Sequence, residues 1–217
     1  FDRETSEAVT GFDEAVNGES VSHEGTISYK FPFDTQQQTY DYFDTTTGQG
    51  WPAEFQDTED IEGLETYRFE QVVEPTKIGE VDVPGALLRQ AVPSVTLDRV
   101  YATTRQFWVE PETGVIVKGQ EDTTQTLELP ALAVEVPAFD VTLTFDEDTI
   151  NARVDDAEDA KNLIQLAKVT GPLLFGIAGL LLLGVGLLLL FWRRRRPAEA
   201  AAGAGGAAVA GAGAAAA

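Results

Sequence analysis

The amino-acid sequence predicts a mainly β (α+β) domain built on an antiparallel sheet, followed by a juxtamembrane helix and one transmembrane helix. Three observations carry that expectation. Apolar and polar residues alternate in short runs between positions 26 and 145, a three-to-four periodicity replaces the alternation at 148–170, and residues 171–192 carry no charge at all.

The strands are expected in order. Residues 26–31 (TISYKF) alternate, which places Ile27, Tyr29 and Phe31 on one face, and 39–43 form a short aromatic run. Residues 64–73 (LETYRFEQVV) put Tyr67, Phe69, Gln71 and Val73 on one side. Residues 100–109 (VYATTRQFWV) pair across a turn with 115–118, and 123–129 and 139–145 complete the set. One short helix is expected at 84–91 (PGALLRQA).

Three turns share a pattern: Asp2 to Ser6 (DRETS), Asp44 to Gly48 (DTTTG) and Glu110 to Gly114 (EPETG). An acidic residue opens each, able to accept hydrogen bonds from the turn backbone, and Pro111 sets a suitable φ. Gly48 and Gly114 supply φ > 0 at the close. Internal duplication and convergent hairpin chemistry both account for the likeness. The turn carboxylates read as structural.

From 148 the apolar residues Ile150, Val154, Ala157, Leu163, Leu166 and Val169 recur at helical spacing, with Asp148 or Thr149 as the cap. A break is expected at Gly171-Pro172, where the span begins. Residues 171–192 (GPLLFGIAGLLLLGVGLLLLFW) are long enough at about 1.5 Å per residue to cross about 30 Å of hydrocarbon. Phe191 and Trp192 suit the headgroup region, and Arg193, Arg194, Arg195 and Arg196 follow as a basic stop. Basic flanks stay in the cytoplasm, so the expected topology is a cell-membrane protein with its C-terminus inside and its N-terminal domain extracytoplasmic. The expected division is 1–147 (β-rich domain), 148–170 (juxtamembrane helix), 171–192 (span) and 193–217 (basic stop and disordered Ala/Gly tail). A Phe at position 1 and the lack of any Met raise the expectation of further sequence upstream.

Composition narrows the chemistry. A net charge of −21 repels nucleic acid and anionic headgroups at long range. With no Cys, disulfides, thiol nucleophiles and Cys-bound zinc or iron–sulfur clusters are excluded. His23, beside Glu24, is the one His and reads as an exposed turn residue. No GxSxG elbow, HExxH, P-loop or GxGxxG occurs, so an enzyme is not expected, and no cofactor or metal is implied. Glu110 and Glu112 are a carboxylate pair of the kind glycosidases use, but pairs arise by chance in so acidic a chain. The acidic stretch 57–62 lacks EF-hand spacing.

Several stretches together resemble the porin PorA family of actinobacterial envelope proteins. They are Gly25 to Asp34 (GTISYKFPFD), Tyr40 to Asp44 (YDYFD), Trp51 to Phe55 (WPAEF), Ile61 to Leu64 (IEGL) and Tyr67 to Phe69 (YRF). Trp108 to Val117 (WVEPETGVIV) and residues 155–166 follow in the same order. The resemblance implies an extracytoplasmic domain whose curved sheet or partial barrel wraps an apolar cavity, and a first membrane segment upstream. One mycobacterial member acts in lipomannan and lipoarabinomannan maturation, so the implied partner is a membrane lipid or lipoglycan precursor.

The strand-face aromatics Tyr29, Phe31, Tyr67, Phe69, Phe107 and Phe145 fit two readings, an ordinary core or the apolar lining of such a cavity. The leading functional expectation is a membrane-anchored module that binds or hands over a lipid or lipoglycan. A scaffold for envelope biosynthesis proteins and a porin-related membrane protein are the alternatives. The sequence does not specify an oligomeric state.

Overall fold

A computed structural model of the chain describes residues 1–194, apart from Thr10, Phe12, Glu14, Asn17 and Glu24. Arg195, Arg196 and the Ala/Gly tail lie outside the described residues. The chain divides into two units, residues 1–164 and 165–217.

The first unit begins with a two-residue hairpin, β1 (Ala15–Val16) and β2 (Glu19–Ser20). A six-stranded antiparallel sheet follows: β3 (Tyr40–Asp44), β4 (Gln49–Ile61), β5 (Leu64–Pro84), β6 (Ser94–Val109), β7 (Ile116–Leu129) and β8 (Val134–Thr144). Every strand pairs with its sequence neighbours, an open meander with β3 and β8 at its edges. Five register shifts interrupt the ladders, at Phe55/Asp57, Val73/Thr76, Lys77/Gly79, Trp108/Val109 and Gln125/Thr126. Each bulge adds twist and bends its strand, so the sheet curves. The expected fold class stands.

Register stacks the side chains in rows. Phe69, Phe107 and Gly119 face one another across three strands, followed by Gln71, Arg105 and Glu121, then Val73, Thr103 and Thr123. The other face carries Arg68, Trp108 and Lys118. There Arg68 grips Asp57 at 2.6 Å and Glu59 at 3.1 Å, and the Lys118 ammonium lies 4.0 Å above the Trp108 ring.

The main core forms on the first face. Ile27, Phe31, Ala53, Phe69, Phe107 and Val109 cluster there, with Phe31 and Phe69 stacked at 4.6 Å between ring centres. A second cluster seats α1 (Glu147–Gln165), whose buried Val154 and Ala157 pack on Leu64, Trp108 and Val117. Asp146, not the expected Asp148 or Thr149, caps that helix, accepting from the Thr149 N–H at 2.8 Å. Lys161, one turn beyond Ala157, reaches the buried Glu110 carboxylate at 3.2 Å.

Four further sequence expectations need correction. Residues 26–31 are not a strand: Ile27 makes single bridges to Glu7 and Tyr42, and the chain bends at Tyr29 and Lys30. The bend breaks the period of two, so Ile27 and Phe31 are buried whereas Tyr29 is 79% exposed. Strand β4 was not expected, because its acidic residues disguise it. Glu54, Asp57 and Glu59 lie on the face opposite Ala53 and Phe55, and Arg68 pairs with the last two. The segments 115–118 and 123–129 belong to one strand, β7.

The fourth correction lies in the second unit. The backbone stays helical at Gly171, and the irregularity is a π-helical turn at Leu166–Thr170 just before it, where the Gly171 N–H reaches the Leu166 carbonyl. Pro172 has no N–H to donate and its ring crowds the carbonyl four residues back, a strain that a widened turn relieves. The helix α2 (Gly171–Arg194) continues from there. It is exposed throughout its apolar length and is long and apolar enough to cross a membrane.

Candidate functional site

The three sequence-alike turns have one geometry. In each, the fifth residue's N–H donates to the carbonyl of the first: Ser6 to Asp2 (3.1 Å), Gly48 to Asp44 (2.9 Å) and Gly114 to Glu110 (2.9 Å). The fifth residue is left-handed each time, with φ of 61°, 70° and 73°. The opening carboxylate caps the turn's N–H groups, Asp2 those of Glu4 and Thr5, Asp44 that of Thr47, Glu110 those of Glu112 and Thr113. These carboxylates hold backbone together. Glu110 also accepts from the Thr113 hydroxyl at 2.6 Å.

Asp44 serves the sheet as well. Its Oδ2 lies 2.7 Å from Arg105 Nη1 and 3.3 Å from the Tyr101 hydroxyl. Arg105 also donates to Gln71 Oε1 (3.1 Å), to the Tyr101 hydroxyl (2.8 Å) and to Glu121 Oε1 (3.0 Å). Glu121 in turn accepts from the Thr103 and Thr123 hydroxyls. Burial by itself would push the Glu121 carboxyl up, but the Arg105 guanidinium and these hydroxyls outweigh it and hold it below its ordinary value. Gln71 spends its amide on the Tyr42 and Trp51 carbonyls, at 2.7 and 3.1 Å. The cluster is satisfied from within. It anchors the β3–β4 turn to the sheet.

Beside this polar row lies an open pocket of about 680 Å³. Its apolar wall comes from Tyr29, Tyr42, Phe107, Ile116, Leu143 and Phe145, and its polar wall from Lys30, Arg105, Gln120, Glu121 and Arg153. Gly119 helps to make the space: a Cβ there would stand only 3.2 Å from the Phe145 ring. Tyr42 lies 4.7 Å from Phe107, ring to ring, and its burial pushes the hydroxyl up to about 12. It stays protonated at neutral pH. The volume falls within the range of about 300–1,000 Å³ usual for small-molecule sites, and a mostly apolar wall with a few polar groups is their usual chemistry.

The structure divides the six aromatic candidates. Tyr29, Phe107 and Phe145 line the pocket. Phe31 and Phe69 are in the solid core, and Tyr67 packs on Phe55 at its margin, 5.7 Å between ring centres. Phe191 and Trp192 are exposed near the end of α2, and Arg193 and Arg194 form its last turn. Sequence reasoning missed Lys30, Arg105, Gly119, Glu121 and Arg153. A signal for Arg105 was present, since alternation in VYATTRQFWV puts it on the same face as Tyr101, Thr103 and Phe107. Among the described residues, no group of three metal-ligating side chains comes together.

The family model for the porin PorA family matches residues 1–188. The chain belongs to the porin PorA family. Two curated relatives carry the name Porin PorA. One, from Corynebacterium resistens, is 27% identical, with 77% of this chain and 56% of the relative covered. The other, from Corynebacterium amycolatum, is 25% identical, with 74% and 52% covered. The chain thus spans about half the length of the curated PorA relatives it matches. The match includes the sheet, α1 and most of α2, so pocket and apolar helix both lie within the PorA region.

Proposed function

We propose that the chain is a membrane-anchored module that binds the apolar part of a lipid or lipoglycan precursor in cell-envelope biogenesis. The supporting observation is the 680 Å³ pocket, walled by aromatic and aliphatic side chains beside a polar row that is already satisfied. Extraction of the full chain from its native membrane into a mild detergent, followed by native mass spectrometry, tests this. A lipid adduct is expected, and Gly119→Leu, whose side chain grows into the space before Phe145, loses it. A bare protein mass after gentle extraction would sink the reading.

The same proposal places the β-rich domain outside the cell and the arginine cluster in the cytoplasm. The chain has no Cys, so a single cysteine reports topology cleanly. A membrane-impermeant maleimide is expected to label Glu62→Cys, at the exposed β4–β5 hairpin, in intact cells. Labelling only after lysis overturns the orientation.

The relatives' name favours a second reading, a pore. The span 171–192 carries no charge and the described sheet has two edges, so one copy of these residues does not enclose a conducting path. Conductance by the purified chain alone in a planar bilayer would select that reading. A role as a scaffold for envelope biosynthesis proteins, which in-cell crosslinking would reveal, is compatible with either.

A further inference from the structure

Two stretches of this acidic domain carry no acid. Residues 83–97 (VPGALLRQAVPSVTL) and 129–134 (LPALAV) hold no Asp or Glu in a chain that has 36 of them, and Arg89 is the one charge in either. Register brings both to the same end of the sheet. Pro84 pairs with Ser94 across the β5–β6 hairpin, Asp98 with Glu128 between β6 and β7, and Leu129 with Val134 across the β7–β8 hairpin. No residue of either stretch lines the 680 Å³ pocket.

The two hairpin tips share a design. Each turns through a short 3-10 segment, Gly85–Leu88 or Pro130–Leu132, and ends on a left-handed residue that is not glycine, Arg89 (φ 56°) or Ala133 (φ 50°). The turns bond to themselves. Gly85 N–H donates to the Pro93 carbonyl at 3.2 Å, Gln90 N–H to that of Gly85 at 2.8 Å, Arg89 N–H to that of Ala86 at 3.2 Å, and Ala133 N–H to that of Pro130 at 3.2 Å. Pro84, Pro93 and Pro130 have no N–H to satisfy. What these closed turns hold outward is apolar: Leu87 is 74% and Val92 49% exposed, and Ala86, Pro130 and Ala131 are exposed as well.

We propose that the two tips are a membrane-contact surface that enters the headgroup layer of a phospholipid bilayer. Exposed leucine and valine gain by leaving water, and backbone already bonded within its own turn loses little where no water replaces its partners. The charge pattern complements lipid too. Acidic side chains are repelled by anionic headgroups, and the tips exclude them while presenting one cation, Arg89. The surface is separate from the pocket and stands whether or not the pocket takes a lipid.

The test uses the full chain reconstituted into phosphatidylcholine vesicles, with and without phosphatidylglycerol. The chain has no Cys, so Ala91→Cys, Ala131→Cys and, as a control at an exposed mid-strand site, Thr124→Cys each carry a single nitrobenzoxadiazole label. Blue-shifted emission and quenching by a doxyl group high on the lipid chain are expected at 91 and 131 but not at 124. Leu87→Asp, at a site that packs on nothing, is expected to abolish quenching at 91 with the near-ultraviolet circular dichroism unchanged. In vesicles with phosphatidylglycerol, Arg89→Gln is expected to lower the ratio of inserted to free label at 91 about fivefold, the weight of one basic residue at an anionic surface, and to change nothing in phosphatidylcholine alone. Labels at 91 and 131 that emit as in water overturn the proposal. So does equal quenching at 124, which would mean that the sheet lies flat on lipid. A blue shift at 91 without doxyl quenching means that protein, such as a second copy of this chain, covers the tips, and it overturns the proposal as well.

Discussion

Gly114→Ala is expected to destabilise the domain by about 4 kcal/mol, or to unseat residues 31–35 from it. Two effects add. Gly114 has a φ of 73°, and a left-handed backbone costs a residue with a Cβ about 1–2 kcal/mol. The new methyl would also stand 2.0 Å from the Phe31 carbonyl oxygen and 2.5 Å from that of Pro32. Those are backbone atoms, and they are pinned. Phe31 N–H donates to the Gly114 carbonyl at 2.9 Å, Asp34 N–H to Glu112 at 3.2 Å and Thr35 N–H to Pro111 at 2.7 Å, while the Phe31 ring is fully buried. Relief means pulling this strap off the turn, which forfeits about 2–3 kcal/mol of aromatic burial. Gly63→Ala is the control. Its φ is 86° but nothing lies within 4 Å of its Cβ, so only the conformational cost applies, about 1–2 kcal/mol. Thermal or urea denaturation of the two variants separates the terms. If they lose equal stability, the close packing of strap on turn has no energetic consequence.

That strap also shows where sequence reading stops. The 100–118 hairpin is legible, because VYATTRQFWV alternates and the EPETG turn has an acid to cap it and a glycine to close it. The helix at 147–165 is legible from Val154 and Ala157, and the span from its lack of charge. Residues 26–31 alternate as well as any strand does. Yet they dock through Ile27 and Phe31, four positions apart, on a surface that other strands create. Local pattern cannot show a partner so distant in sequence. The pocket has the same limit. Parity assigns Phe69 and Phe107 to one face but says nothing of depth, so the core ring and the ring at the pocket wall look alike. Lys30 and Arg153 lie 123 positions apart. They come to one pocket because the strap docks through Ile27 and Phe31 and α1 through Val154 and Ala157.

Asp44→Ala is expected to cost about 3–5 kcal/mol, the usual penalty for stripping one partner from a buried ion pair. That is a large share of the 5–15 kcal/mol typical of a domain. Asp44 is fully buried and holds three groups at once: Arg105 at 2.7 Å, the Tyr101 hydroxyl at 3.3 Å and the Thr47 N–H at 2.6 Å. Among the described residues, its loss leaves Glu121 as the sole carboxylate on a mostly buried guanidinium. Asp44→Asn keeps an oxygen for the Thr47 N–H and loses only the charge, so it is expected to cost less, about 2 kcal/mol. Trp51 reports on the turn, since its indole N–H donates to the Thr47 hydroxyl at 3.0 Å. A pH dependence follows with a definite sign. The Glu121 carboxyl is held below its ordinary value of 4.5 in the folded state, so its contribution is complete above that value. It drains away as the pH falls through the lowered folded-state value. In Asp44→Ala, protonating Glu121 removes the last countercharge from Arg105, so acid unfolding is expected to begin at a higher pH than in the parent. Asp44→Ala would leave both the denaturation midpoint and the acid limb unmoved if Arg105 drew no stability from its carboxylates.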